Sequence, residues 1–279
     1  MLVEARGLND RDLDELANLE RRVLTSDGGR LKLEWGTLRN RTGDQVDDLR
    51  WWGGDHLVGF VGLYAFGPHL ELAGMVDPLA RRQGIGGALL DRALRIASER
   101  CFERALLVVP RSAPAGRRFA LSRGAVLDHS EHFLVLGATP PADALHADVV
   151  VRAATPQDAR AVRQARTSAF GTNWGDLGET AEPSECLLVI ERAGEVIGTL
   201  RLSSDGGTTG IYGFAVLPAF QGRGIGRDVL RKVCNELRRQ SDRRVTLEVA
   251  VDNERALGLY TSVGFEPRAT EDYWSLPTT

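Results

Sequence analysis

The segment Val76-Asp-Pro-Leu-Ala-Arg-Arg-Gln-Gly-Ile-Gly86 is answered, 140 residues later, by Val216-Leu-Pro-Ala-Phe-Gln-Gly-Arg-Gly-Ile-Gly226. Val76, Pro78, Gly84, Ile85 and Gly86 return as Val216, Pro218, Gly224, Ile225 and Gly226, and the same offset carries Leu90 onto Leu230 and Gly124 onto Gly264. A register held over that length marks a repeated domain rather than a repeated turn. The 279 residues are enough for two cores of about 100–150 residues each. Between the copies lies Thr139-Pro-Pro-Ala-Asp143, where two prolines interrupt any helix or ladder. The expected organisation is a first domain over 1–140, a linker over 141–147 and a second domain over 148–279.

Each copy reads as mixed α/β. Upstream of the repeated segment, Leu57-Val-Gly-Phe-Val-Gly-Leu63 and Val196-Ile-Gly-Thr-Leu-Arg-Leu202 are similar apolar strands. Asn9 or Asp10 can cap a helix running through Leu13, Leu16, Leu19 and Val23, and Thr155-Pro156 with Asp158 can open its counterpart. Val229, Val233 and Leu237, joined by Leu230 and Cys234, make one apolar stripe at helical spacing after Gly226. Val245-Thr-Leu-Glu-Val-Ala-Val251 alternates, with the valines and Leu247 on one strand face and Thr246, Glu248 and Ala250 on the other.

Composition excludes more than it identifies. A net charge of −3 argues against a nucleic-acid or anionic-membrane binder, which would carry a basic excess. No segment reaches the roughly 18 uncharged apolar residues of a membrane span, and the N-terminus lacks a signal-peptide core. Cys101, Cys186 and Cys234 are far apart and form no CxxC or His/Cys cluster. They are expected to be reduced, buried thiols of a cytoplasmic protein without a metal.

The chemistry is concentrated at the Gly-rich turns. Gln221-Gly-Arg-Gly-Ile-Gly226 follows an apolar strand and opens a helix. Glycines let the backbone approach a ligand closely, and a helix N-terminus offers unpaired N–H groups to a pyrophosphate. Arg223 and Arg227 can add positive charge. The form is neither the nucleotide loop ending Gly-Lys-Ser/Thr nor the dinucleotide pattern. Both copies read Arg/Gln-x-x-Gly-x-Gly, from Arg81 and from Gln221.

That pattern resembles the acetyl-CoA-binding motif of the GNAT acetyltransferase superfamily, including the Val-x-Pro that closes the preceding strand in Val216-Leu-Pro218. Downstream, Asn253-Glu-Arg-Ala-Leu-Gly-Leu-Tyr260-Thr-Ser-Val-Gly264-Phe265 fits the family's Asn-x-x-Ala-x-x-x-Tyr-x-x-x-Gly-Phe. The resemblance covers most of 150–275 and, more loosely, 1–137. It implies two tandem GNAT-like α/β (α+β) domains, each a mixed, twisted, mainly antiparallel sheet flanked by helices. The tandem arrangement resembles that of mycothiol synthases.

The resemblance further implies acetyl-CoA as co-substrate, without a metal. It places the cofactor against Ala215, Val216, Gln221, Gly222, Arg223, Gly224, Ile225, Gly226, Asn253 and Tyr260, and in the first copy against Val76, Arg81, Arg82, Gly84 and Gly86. It assigns stabilisation of the oxyanion to a backbone N–H near Val216, and protonation of the departing thiolate to Tyr260. A phenol with an ordinary pKa near 10 is protonated at neutral pH and suits that task. Asn253 can contact the cofactor, cap the helix carrying Tyr260, or both. Glu248 can serve as general base directly or through a water placed by Tyr212, with proton loss to solvent as the alternative.

The first copy is chemically reduced. The 140-residue offset sends Glu248 to Val108, Asn253 to Ala113, Tyr260 to Ala120 and Phe265 to Ala125. A one-residue slip would set Phe119 against Tyr260, and phenylalanine donates no proton. The first domain is therefore expected to bind CoA without catalysis or to act as a structural partner, with Glu71 as its remaining candidate base. Trp51-Trp52 is read as packing, and His129 and His132 as ordinary polar residues.

The expected reaction is transfer of an acetyl group to a primary amine of a small molecule or peptide. Asp176, Glu179, Glu182 and Glu185, with Trp174, form an acidic stretch that would suit a cationic amine if it borders the acceptor. A non-catalytic acyl-CoA-binding regulator and a mycothiol-synthase-like enzyme are the alternatives. Monomer and homodimer both remain open.

Overall fold

The computed structural model describes residues 1–41, 43–140, 146–171, 185–240 and 243–278. Most of the expected linker, 141–145, lies outside them. The chain divides into two compact units, one of residues 1–130 with 269–279 and the other of residues 131–268.

The first unit runs β1 (Leu2–Ala5), α1 (Asp10–Asp27), α2 (Trp35–Arg39), β2 (Asp48–Gly53), β3 (His56–Phe66), β4 (His69–Val76), α3 (Ile85–Glu99), β5 (Arg104–Pro110), α4 (Pro114–Ser122) and the start of β6 (Val126–Leu136). Asn9 caps α1 as expected: its side chain accepts from the Asp12 N–H while Asp12 accepts from the Asn9 N–H. Leu16, Leu19 and Val23 then face the sheet and meet Phe60, Leu57 and Met75. On the other face, α3 buries Ile85, Leu89, Leu90, Ala93 and Ile96 against Leu63, Leu72 and Leu107. Trp51 packs with this second cluster and Trp52 with the first, as neighbours on a strand must.

The second unit contains the end of β6, then β7 (Val149–Ala153), α5 (Ala159–Phe170), β8 (Glu185–Arg192), β9 (Glu195–Asp205), β10 (Thr208–Val216), α6 (Ile225–Gln240), β11 (Arg244–Ala250), α7 (Glu254–Val263) and the start of β12 (Phe265–Pro277). The apolar stripe predicted after Gly226 is buried on α6 as Val229, Leu230, Val233 and Cys234. It meets Val245, Leu247 and Val249, the predicted inner face of β11.

Strand pairing is antiparallel within each unit except at one place. β4 and β5 are parallel, and so are β10 and β11. Parallel neighbours need a crossover, and α3 and α6 supply it.

The last strand written in each sequence copy completes the other unit. Residues 271–277 of β12 pair with β5, with Tyr273 opposite Val108. Residues 131–135 of β6 pair with β11, with Phe133 opposite Glu248. The 140-residue offset relates both members of these two pairs, so the repeat continues through the exchanged strands. Trp274 and Leu276 enter the first unit's core, and Leu134 and Leu136 enter the second's.

Cys234 is buried, and burial pushes its thiol up to about 12. Cys101 and Cys186 are exposed, contrary to expectation. Cys101 closes the turn after α3 at φ +58°, and Cys186 points outward from β8.

A fragment of residues 148–279 lacks the strand that pairs with β11. Burial of Leu134 and Leu136 contributes about 1.5–3 kcal/mol each, and β11 would be left as an open edge. This fragment is expected to unfold at lower urea than a 131–268 fragment and to aggregate more readily in light scattering. Equal stability of the two would contradict the exchange.

Candidate active site

The first residue of each Gly-rich motif is a structural fastener. Gln221 Nε2 donates to the Val216 carbonyl at 2.7 Å, and Arg81 Nε donates to the Val76 carbonyl at 3.1 Å. The side chain thus holds the end of the strand five residues back and draws the turn into a loop. Arg81 also forks onto both Asp27 oxygens at 2.9 and 2.7 Å, and lowers that carboxyl through the hydrogen bond. The side chains of Gln221 and Arg81 are thus both anchored to the end of the preceding strand.

Gly222 and Gly224 sit at φ +74° and +84°. A Cβ at Gly222 would meet nothing within 4 Å, so the loop presents bare backbone to open space. The first copy has Arg82 at the position of Gly222, at φ +65°. A left-handed non-glycine residue costs roughly 1–2 kcal/mol. The helices that follow, α3 and α6, leave their first N–H groups without intrahelical partners. This open, Gly-lined helix entrance fits the pyrophosphate of CoA.

Beside the turn the parallel strands part. In the second unit their register ends at Ile211 opposite Leu247, while β10 runs on to Val216 and β11 to Ala250. β10 also bulges here: Tyr212 faces Arg201 and Ala215 faces Thr199, which leaves an extra residue between them. Gly213 takes φ +55° in the bulge. A bulge bends its strand and leaves a residue outside the ladder. In the first unit, β4 pairs with β3 without a shift from His69 to Val76. Two copies of one turn therefore border two different strands.

The helix after the gap differs as well. The Asn253 side chain accepts from the Ala256 N–H at 3.0 Å and caps α7. Ala113 occupies the same place before α4 and offers no side-chain cap. Tyr260 on α7 is half-buried, edge-on to Phe265 at 6.3 Å between centroids. Burial pushes its phenol up to about 12. Among the described residues its hydroxyl makes no hydrogen bond. A Cβ at Gly226 would touch Leu259, and one at Gly86 would touch Phe119. Phe119 thus answers Leu259, and Ala120, fully buried, answers Tyr260 without a slip.

The other candidates divide. Glu248 is half-buried on the face of β11 opposite Val245, Leu247 and Val249, as alternation predicts. Tyr212 lays its ring over Gly210, where a Cβ would approach within 2.4 Å, and under the Arg201 guanidinium at 5.2 Å. Arg201 in turn binds Glu185 at 2.6 Å. Glu185 is therefore neutralised, and Trp174, Asp176, Glu179 and Glu182 lie outside the described residues. Arg227 reaches α7 through Ser262 at 3.0 Å.

In the first unit Glu71 lies 3.4 Å from Lys32, which donates to the Tyr273 hydroxyl at 2.6 Å. Tyr273 is fully buried and stacked on His129 at 4.2 Å. The candidate base is thus part of a filled polar cluster. Sequence reasoning missed Lys32 as the partner of Glu71 and Tyr273 as the partner of Lys32, the latter two standing 241 residues apart. It missed the β10 bulge, signalled only by Gly213. It also missed a surface groove of about 820 Å³ flanking the turn, between Arg160, Arg163 and Thr167 of α5 and Leu217 and Phe220.

The sequence model of the Acetyltransferase (GNAT) family matches residues 13–124 and again 157–265. The chain belongs to that family, and it is an acetyltransferase with two tandem copies of the fold. Mycothiol acetyltransferase of Kytococcus sedentarius is 30% identical over 97% of this chain and 96% of its own length. Mycothiol acetyltransferase of Clavibacter sepedonicus is 29% identical over 72% of this chain and 71% of its own. A GCN5-related N-acetyltransferase structure from Sphaerobacter thermophilus superposes with a TM-score of 0.80 at 20% identity, covering 99% of this chain and 96% of that one. A tandem GNAT protein from the clavulanic acid biosynthesis pathway superposes with a TM-score of 0.70 at 17% identity, covering 100% and 98%.

The two turns differ in strain. Replacing Gly222 with Ala is expected to lower stability by about 1 kcal/mol, since φ +74° is then costly. Arg82→Gly in the first copy should cost nothing or stabilise slightly. Urea midpoints of the two variants check this, and an equal loss in both would contradict it.

Proposed function

We propose that the second unit carries an acetyl-CoA-dependent N-acetyltransferase site for a primary amine, and that the first unit is a non-catalytic partner. The observation that carries this reading is the asymmetry around one shared turn. Among the described residues only the second copy combines the bulged strand, the capped α7 and Tyr260. Family enzymes use acetyl-CoA as co-substrate, and residues 221–226 supply the phosphate cradle described above.

In this reading the gap between β10 and β11 takes the thioester end of acetyl-CoA. A backbone N–H near Val216, next to the bulge, stabilises the developing oxyanion, a contribution of about 2.7–4 kcal/mol for one preorganised donor. The amine attacks the thioester carbonyl and loses a proton to Glu248, to a water, or to solvent. As the C–S bond breaks, Tyr260 gives its hydroxyl proton to the departing sulfur. A phenol raised by burial holds that proton throughout the neutral range and regains it readily.

The named relatives favour a narrower acceptor. The full-length similarity to mycothiol acetyltransferases points to the amine of a cysteine-bearing pseudodisaccharide. That acceptor carries its own thiol, so its acetylation is read by the mass of the product rather than by thiol release. Formation of the acetylated product would support this choice. Turnover with simple amines alone would return the acceptor to the broader class.

Tyr260→Phe keeps the ring against Phe265 and removes the acid. It is expected to lower kcat by roughly 10²–10⁴ with little change in acetyl-CoA affinity. The required form is the protonated phenol, and its pKa is raised to about 12. Tyr260 should therefore impose no loss of kcat until about pH 11, and the loss should come with rising pH. Normal single-turnover rates in a folded Tyr260→Phe protein would remove Tyr260 from this role.

A further inference from the structure

The Gly-rich turn of the second unit is clasped from outside by one residue the motif does not contain. His146 Nε2 lies 2.7 Å from the Arg223 carbonyl, in the middle of the turn. Its own backbone is held at both ends by α6. The His146 N–H donates to Asp228 Oδ2 at 2.9 Å, and the His146 carbonyl accepts from Lys232 Nζ at 3.1 Å. Lys232 also holds the Val149 carbonyl at 2.7 Å, at the start of β7. Asp228 and Lys232 are one helical turn apart, so a single face of α6 fixes the segment that presents the imidazole.

We propose that His146 is a positioning residue for the acetyl-CoA phosphate cradle of the second unit. This inference rests on the reading that residues 221–226 hold the pyrophosphate. The physical argument concerns one peptide plane. The Arg223 carbonyl and the Gly224 N–H belong to the same planar unit and point in opposite directions. Gly224, at φ +84°, offers little resistance to a flip of that plane, because glycine populates both signs of φ. A flip would turn a carbonyl oxygen towards the place where a phosphate has to bind and repel it. The imidazole N–H, donating to the Arg223 carbonyl, holds the oxygen on the His146 side and keeps the Gly224 N–H on the other.

Among the described residues the first copy has no such clasp. A Cβ at Gly84 would meet nothing within 4 Å, whereas one at Gly224 would meet His146 Nε2 at 3.6 Å. His146 therefore adds a further difference between the copies, on the cofactor side rather than the chemical side. It touches no reacting atom and acts through the turn.

Calorimetric titration of CoA into the full chain tests this, because it needs no acceptor. Gly224→Asp first identifies the binding component that belongs to the second turn, by removing it. His146→Ala should weaken that same component about three- to tenfold, the scale of one net hydrogen bond. His146→Gln, which can present an N–H at similar reach, should restore it to within about twofold. With a working acceptor, the loss in His146→Ala should fall on KM for acetyl-CoA and leave kcat nearly unchanged. An unaltered component in His146→Ala, or a Gln variant as weak as the Ala variant, would overturn the proposal while leaving the cradle in place. If Gly224→Asp removes no component, the cradle reading itself fails, and the role of His146 with it.

Discussion

Two strands that lie side by side in the same direction constrain everything around them. Neither β4 and β5 nor β10 and β11 can be joined by a tight hairpin, so the chain must leave the sheet and return through a helix. The departure occurs at the carboxyl end of the first strand, where helix N–H groups and separating strand backbones come together. The tie from Gln221 to Val216, like that from Arg81 to Val76, closes this departure into a compact loop. A Gly-lined turn with free helix N–H groups, next to parting strands, follows from that geometry before any catalytic side chain is added.

In the proposed mechanism catalysis depends on what surrounds that turn, and here the copies diverge. The bulge at Gly213 breaks the regular ladder of β10, while β4 remains straight to Val76. Asn253 organises α7, and the same helix turns Tyr260 inward against Phe265. In the first unit Ala120 stands at the position of Tyr260, and Val108, at the position of Glu248, packs with Leu106 and Tyr273. Lys32 and Glu71 complete the polar side of that cluster. Apart from the bulge, the difference is one of substitution at matched positions.

The sequence made the backbone plan legible because its signals are local. The N-cap at Asn9, the stripe from Val229 to Leu237 and the alternation through Val245, Leu247 and Val249 depend on neighbours within a few residues. The Gly-rich turns are also local, so their position before α3 and α6 could be read directly. The partners of Glu71, the fork from Arg81 to Asp27 and the clasp of His146 on Arg223 join residues far apart in the chain. No periodicity encodes such pairs. The tie from the Gln221 side chain to the Val216 carbonyl is likewise a contact that the motif's spacing does not announce.

The exchange of final strands explains why a copy that lacks the proposed chemistry is still tied to one that has it. β6 is written at the end of the first sequence copy, yet its residues 131–136 belong to the second unit and bring Leu134 and Leu136 into that core. β12 is written at the end of the second copy, yet Tyr273, Trp274 and Leu276 fill the first unit. Neither sequence half contains a whole hydrophobic core. Ala120 and Val108, where the second copy has Tyr260 and Glu248, are themselves buried apolar side chains of the first unit's core. Loss of the first half as a whole would instead strip a strand from beside β11, the strand that carries Glu248. The first copy is thus free to lose proton donors and acceptors but not its place in the fold, because the geometry of the second site is built partly from residues that the first copy encodes.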